Sequence, residues 1–318
     1  MNILWLYRYT RHRYYNHWFH TDFAKAISEE ENITLKMYGY RMHERPDFAD
    51  LLLRTYKPNI LMKDLKKEYD YDVVILDCWN RAYKTVAIKE MWLPEDFKDI
   101  SSPKIVIEGD YHNVRNPKIY SDLNIDMILH RHMTNVIKAK QDLSLKNIWL
   151  PCSIDNTIFK PNKHIERKNL ICAVGEMDNS VYKYRINAMN KLHQNQLLFR
   201  SNLVREQEYI KCLQEYVSHL NGSSTFNLNI AKMFEIMASG SVLLTDRVEG
   251  IDELFPSDSY CSYKRNYEDL IPKAKKIINN IDYRNSIIDN GLKCITEKHT
   301  HQIRAKQLID IIKQEFKI

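Results

Sequence analysis

FNLNIAKMFEIMASGSVLLTD, residues 226–246, decides how the rest of the chain is read. It divides into a loop, a short helix ending at Ser239-Gly240, and a buried strand from Val242 to Thr245. Gly240 suits a helix C-terminus, where a left-handed conformation is cheap only for glycine. Asn229 is the expected N-cap. The helix N-terminus then faces a loop at the carboxyl end of a preceding strand, and its free N–H groups make an anion site. Lys232, in the first turn, adds positive charge. Glu235, one turn further in, is placed to take the two hydroxyls of a ribose. Together these features make a site for the diphosphate and ribose of a nucleotide.

FEIMASGSVLLTD, followed by EGIDELF and later HTHQIRAKQLIDII, resembles the C-terminal domain of the group 1 glycosyltransferases, nearest the branch of the CgeB-type spore-maturation proteins. The resemblance covers roughly residues 145–310. It implies an α/β chain of GT-B fold, with two Rossmann-like, doubly wound parallel-sheet domains facing a cleft, and transfer of a sugar from a nucleotide sugar. Many members carry a Glu eight residues before the helix Glu, and it touches the donor sugar. Here the helix Glu is Glu235 and the earlier position is Asn227, which leaves donor identity and stereochemistry open.

Composition agrees with a soluble two-domain protein. The chain has 318 residues, 44% hydrophobic and 28% charged, enough for two ordinary domains. Its longest apolar runs are only strand length, so no transmembrane span is expected. MNILWLYRYTRHR does not read as a signal peptide, because its apolar run is short and its basic residues follow it. The six cysteines, at 78, 152, 172, 212, 261 and 294, are scattered and include no C-x-x-C. They read as reduced core residues of a cytoplasmic protein. A net charge of +6 permits an anionic partner without requiring one. With 7 glycines, neither a dinucleotide fingerprint nor a P-loop is present.

Residues 1–152 alternate strands and helices. Asn2–Tyr7, Ile33–Tyr38, Asp72–Asp77 and Lys104–Glu108 are expected strands, with shorter ones at Met127–His130 and Ile148–Leu150. Helices are expected near His17–Glu30 and Ile60–Glu68. This order argues for a parallel sheet wound on both faces, with ligands beyond the carboxyl ends of its strands.

Two of those strand ends are candidate acceptor sites. YRYTRHRYYNHWFH, residues 7–20, interleaves Arg8, Arg11 and Arg13 with aromatics including Tyr14 and Trp18. Such a segment suits an acceptor offering phosphates and flat faces, a nucleic acid included; it also fits a solvated loop in a chain with 20 tyrosines. EGDYHN, residues 108–113, places Asp110 and His112 at a strand end, where they can move a proton or orient a hydroxyl, or simply form a turn. The family often carries an Asp/His segment at a similar point. Asp70-Tyr71-Asp72 matches the D-x-D of another glycosyltransferase fold but precedes its strand, and reads as a polar loop. The His130 and His299–His301 clusters lack further ligands at metal spacing and read as ordinary packing or surface histidines.

WLPCSIDNTIFKP, residues 149–161, matches the family's linker pattern at Pro151, Asp155, Phe159 and Pro161. Beyond it, Asn169–Val174 is a strand ending at Gly175, which allows close approach of a ligand. Tyr182–Leu192 is a helix with Lys183 and Arg185 near its start, where either meets a diphosphate or stays an exposed helix charge. Arg200 follows a strand at Leu197–Phe199. Helices are expected at Glu206–Val217, Tyr267–Ile281 and His301–Phe316. The domains are then 1–152 for the acceptor, 153–300 for the nucleotide sugar, and 301–318 as a helix returning to the first domain.

The resulting reading is a hexosyltransferase moving sugar from a nucleoside diphosphate donor, UDP-glucose for preference, to a hydroxyl of a polymer, glycolipid or small molecule. Gly175, Lys183, Arg185, Arg200, Asn227, Asn229, Lys232 and Glu235 bind the donor; Asp110 and His112 serve catalysis; Arg8, Arg11, Arg13, Tyr14 and Trp18 meet the acceptor. No cofactor or metal is expected, because Lys232 and the helix N-terminus stabilise the leaving diphosphate. By resemblance the anomeric configuration is retained. A phage-type DNA base glycosyltransferase, distinguished by steep salt dependence, and a non-catalytic binding protein remain as alternatives, with a GT-B-like epimerase behind them.

Overall fold

The computed structural model describes residues 1–7, 18–39, 46–57, 59–77, 93–114, 116–175, 178, 180–201 and 206–318. They form two compact units, one from the first 151 residues with Arg304–Ile318, the other over Cys152–Ile303. Each is built on its own parallel sheet.

The first sheet has six strands: β1 (Asn2–Tyr7), β2 (Thr34–Tyr38), β3 (Val73–Asp77), β4 (Lys104–Glu108), β5 (Met127–His130) and β6 (Lys146–Trp149), in the order β2-β1-β3-β4-β5-β6. Strand alternation divides its residues between two cores. Ile3, Trp5 and Tyr7 pack with Phe23, Ala24 and Ile27 of α1 (Trp18–Ser28), and with Ala305, Leu308 and Ile312 of the last helix, His301–Phe316. Leu4 and Leu6 face the opposite core, with Leu65 of α2 (Met62–Glu68), Tyr111 and Tyr120. Strands buried on both faces read as continuous apolar runs, which is why VVILD and KIVIE were legible. The D-x-D lies at the amino edge: Asp72 accepts the Asn2 N–H at 2.7 Å and Asp70 pairs with Lys66 at 2.9 Å. It fastens β1 to β3.

The second sheet has five strands, β7 (Lys168–Ala173), β8 (Leu198–Arg200), β9 (Tyr216–Leu220), β10 (Val242–Asp246) and β11 (Cys261–Tyr263), in the order β11-β10-β9-β7-β8. Its middle strand corrects the sequence reading. The helix expected over Glu206–Val217 ends at Glu215, and Tyr216 starts β9. Ile210, Leu213 and Val217 keep helical spacing across that boundary, so periodicity alone ran the helix on. The helix is α6 here; before it come α3 (Lys118–Asp122), α4 (Met133–Asp142) and α5 (Lys183–Gln194). A further helix, α10 (Ile281–Lys298), fills a span for which no element was expected, after α8 (Ile251–Leu254) and α9 (Leu270–Asn279). Pro272 falls in the first turn of α9, where a missing N–H is tolerated.

Residues 231–238 form α7. Gly240, at φ 71°, closes it: the Gly240 N–H donates to Met237 and the Ser241 N–H to Ile236, a Schellman pair. Arg167 reinforces this end by donating to the carbonyls of Ser239 and Gly240. The N-cap is Ile230, in extended conformation, rather than Asn229, and no side chain caps the helix. Asn229 is instead wholly buried in the preceding loop.

Candidate functional site

The carboxyl ends of the second sheet converge on the start of α7. Val174-Gly175 follows β7, the loop 221–230 follows β9, and Asp246 ends β10. The Lys232 ammonium donates to the Val174 carbonyl at 2.6 Å. Gly175, at φ 116°, leaves the room it uses: a Cβ there would lie 2.3 Å from Lys232 Nζ. Gly175 thus serves both an unusual backbone conformation and a close approach.

Arg185, buried on α5, donates from Nε to the Gly222 carbonyl at 3.2 Å and stacks over Tyr182. Burial first, then the Arg185 charge, push the Lys232 ammonium down to about 8; Glu235 opposes them. Glu235 lies one turn along α7 from Lys232, and the Tyr209 hydroxyl of α6 donates to its carboxylate. Burial raises the Glu235 carboxyl, while the Tyr209 bond and the Lys232 charge hold it back. The result is a half-buried cation beside an uncapped helix N-terminus, with a carboxylate oriented by a tyrosine. An anion stabilises such an ammonium, and the oriented carboxylate accepts from hydroxyls.

A second network lies at the end of β10. Asp246 accepts from the Ser223 N–H at 2.6 Å and from Arg265 Nε at 2.9 Å. Arg265 also donates to the Asn227 side chain, and Asn227 has a left-handed φ of 57°. At the position where the resemblance implies a Glu, this chain therefore has an amide held by a guanidinium. Lys183 is exposed at the start of α5, and Arg200 is exposed at the end of the edge strand β8. Among the described residues, neither makes a recorded contact with the Lys232 cluster. Tyr209 and Arg265 were missed from sequence: Tyr209 is one tyrosine of 20, and Arg265 follows the short, unanticipated β11.

At the carboxyl edge of the first sheet, the wholly buried Glu108 accepts from Tyr120 Oη at 2.7 Å and from the Asp110 N–H at 2.8 Å. Burial pushes its carboxyl up to about 8. Asp110 and His112 come together, with Oδ1 and Nε2 3.9 Å apart. Asn113 lies 3.0 Å from the same His112 nitrogen. His130 is buried against Asn147 at 2.8 Å, and burial lowers its imidazole to about 4. Arg8, Arg11, Arg13, Tyr14 and the Trp18 side chain lie outside the described residues. Among the described residues no three metal-ligating side chains gather, and no helix is long and apolar enough to cross a membrane.

Residues 183–310 match the family of glycosyl transferase-like proteins. No curated protein sequence matches the chain. Among solved structures, sucrose-phosphate synthase from Thermosynechococcus elongatus superposes with a TM-score of 0.68 at 11% identity, covering 99% of each chain. Anabaena HepE in complex with UDP-glucose gives 0.66 at 10% identity, covering 99% of this chain and 100% of its own. A glycosyltransferase from Rickettsia africae gives 0.66 at 11%, covering 98% of each. The fold is the GT-B fold of glycosyltransferases, and the family match lies in the second unit and the start of the last helix.

Proposed function

We propose that this glycosyltransferase binds a uridine diphosphate sugar at the start of α7 and passes its hexose to an acceptor hydroxyl. The observation that carries the reading is the Lys232 ammonium, fixed on the Val174 carbonyl in the space left by Gly175. A fixed, half-buried cation next to free helix N–H groups is suited to charge that develops on a leaving diphosphate. Glu235, oriented by Tyr209, takes the ribose hydroxyls. Arg185 adds a second positive charge. Asn227, with Arg265 behind it, meets the donor sugar.

In the reaction, the bond between the anomeric carbon and the diphosphate oxygen breaks, and a bond to the acceptor oxygen forms. The acceptor O–H bond breaks, and its proton passes to the leaving diphosphate oxygen. Asp110 and His112 orient that hydroxyl, and Lys232 with the helix N-terminus supplies the electrostatic stabilisation without a metal. The family resemblance, with UDP-glucose as the ligand of a similar fold, supports a uridine donor and retention of configuration.

Thermal shift and calorimetry with UDP, UDP-glucose and other nucleoside diphosphates test this directly. A ligand that binds the folded state raises its apparent stability. Stabilisation of the wild type by a uridine ligand, lost in Glu235→Ala and Lys232→Ala, is the expected result. A wild type indifferent to every nucleotide overturns it.

A further inference from the structure

The sulfur atoms of Cys172 and Cys212 lie 3.6 Å apart. They join two elements that shape the donor site. Cys172 is in β7, two residues before the Val174 carbonyl that holds Lys232. Cys212 is on α6, one turn beyond the Tyr209 that orients Glu235. Cys261 instead meets the Tyr283 hydroxyl, and Cys294 the Leu254 carbonyl.

We propose that Cys172 and Cys212 are an oxidisable dithiol, a modification site that a peroxide closes to an intrachain disulfide, reversibly weakening the nucleotide site. The weakening rests on the donor-site reading above; the disulfide does not. Cys212 is 6% exposed and Cys172 is fully covered, so Cys212 meets the oxidant first. Contact with Cys172, and after it Ser201 and the Lys232 charge, lower the Cys212 thiol, while the same contact and burial raise Cys172. The greater exposure of Cys212 suits the attacking cysteine, and Cys172, in contact with it, the resolving one.

The Cys212 thiolate attacks one peroxide oxygen. The O–O bond breaks, an S–O bond forms, and hydroxide leaves and takes a proton as water. Cys172 then attacks the sulfenic sulfur. The S–S bond forms, the S–O bond breaks, and the second oxygen leaves as water with the Cys172 proton. The two thiols lose two electrons and the peroxide gains them. Closing a 3.6 Å gap to a bond of about 2.05 Å brings the two sulfurs roughly 1.5 Å closer and strains α6 against β7. Tyr209 and Val174 ride on those two elements, so Glu235 and Lys232 lose their alignment together.

The test uses the full chain. Reduced wild type is treated with hydrogen peroxide, alkylated, digested and mapped by mass spectrometry. UDP affinity is measured on reduced, oxidised and re-reduced protein, with Cys212→Ser and Cys172→Ala as controls whose folding is checked by thermal melting. The expected result is a Cys172–Cys212 linked peptide in the wild type alone. UDP affinity should fall about tenfold on oxidation, return with dithiothreitol, and ignore peroxide in Cys212→Ser. Absence of the linked peptide, under conditions that oxidise other thiols of the same sample, overturns the proposal without recourse to any variant. A linked peptide with unchanged UDP affinity overturns the regulatory half. A linked peptide in a protein whose reduced form never bound UDP supports the dithiol and sinks the donor-site reading instead.

Discussion

At the carboxyl edge of the first sheet, Glu108 is wholly buried and spends both carboxyl oxygens on its own chain, on Tyr120 and the Asp110 N–H. At the same edge of the second sheet, Lys232 and Glu235 are half-buried; the Val174 carbonyl holds the ammonium and the Tyr209 hydroxyl the carboxylate. Both edges gather ionisable groups at strand ends, as parallel sheets do. The first uses its buried acid to shape a loop, and leaves Asp110 and His112 as the groups able to meet a ligand. The second gathers two cations, with burial and then the Arg185 charge lowering the proton affinity of Lys232. On the proposed reading, one edge places a neutral hydroxyl and the other accepts a diphosphate.

His112→Ala separates the two roles most sharply. Turnover should fall about 100-fold, the lower end for a positioned proton-handling group, while UDP affinity stays unchanged by calorimetry. Equal losses in both would erase the distinction between the edges.

Lys232→Ala should act in the opposite sense. Removing a charge-assisted hydrogen bond costs about 1.5–3 kcal/mol, which is roughly 10- to 100-fold in UDP affinity. The pH profile adds a check of sign. With its proton affinity pushed down to about 8, Lys232 is charged below that pH and neutral above it, so UDP binding weakens as pH rises through 8. Lys232→Arg keeps its charge and should flatten the profile, even where it lowers affinity throughout.

The difference between the edges was partly readable beforehand. VVILD and KIVIE announced their strands because burial on both faces demands unbroken apolar runs. Gly240 announced the end of α7 because its φ of 71° is cheap for glycine alone. Lys232 and Glu235 followed from their spacing on that helix. What could not be read depends on contacts distant in sequence. Tyr209 matters because α6 carries it to Glu235, 26 residues away in the chain. Arg265 matters because the three-residue strand β11 delivers it to Asp246 and Asn227. β9 was hidden by apolar positions that fit a helix equally well, and α10 lies in a span whose apolar positions were not recognised as a helix.

Glu108 gives a stability test of the first edge. Its carboxyl, at about 8, is far above the ordinary 4.5, so the folded state holds a proton that the unfolded state has lost. That contribution is full below pH 4.5 and disappears as pH rises to about 8, at a slope of up to roughly 1.4 kcal/mol per pH unit. The charges of Asp110 and Asp77 act in the same direction, and the Tyr120 and Asp110 N–H bonds oppose it. Glu108→Gln is neutral at every pH and should melt with a flatter pH dependence than wild type. An unchanged slope would mean that Glu108 is ionised in the fold.

The smallest effect is also the most specific. Tyr209→Phe removes the hydroxyl that orients Glu235 and keeps the ring, which packs edge-on against Phe159 at 6.4 Å and lies 5.9 Å from the Lys232 ammonium. A hydrogen bond to this partly buried carboxylate is worth about 1 kcal/mol, so UDP affinity should fall about fivefold. Without the tyrosine bond the Glu235 carboxyl rises further, and the loss should deepen towards acid pH as it takes a proton. If Glu235 accepts from the ribose hydroxyls, the penalty of Tyr209→Phe should shrink for 2′-deoxy-UDP, because one of its hydrogen-bond donors is already gone. Equal penalties with the two ligands would assign Tyr209 to the ammonium rather than to the carboxylate. The second edge would then owe its order to the Lys232 cation alone.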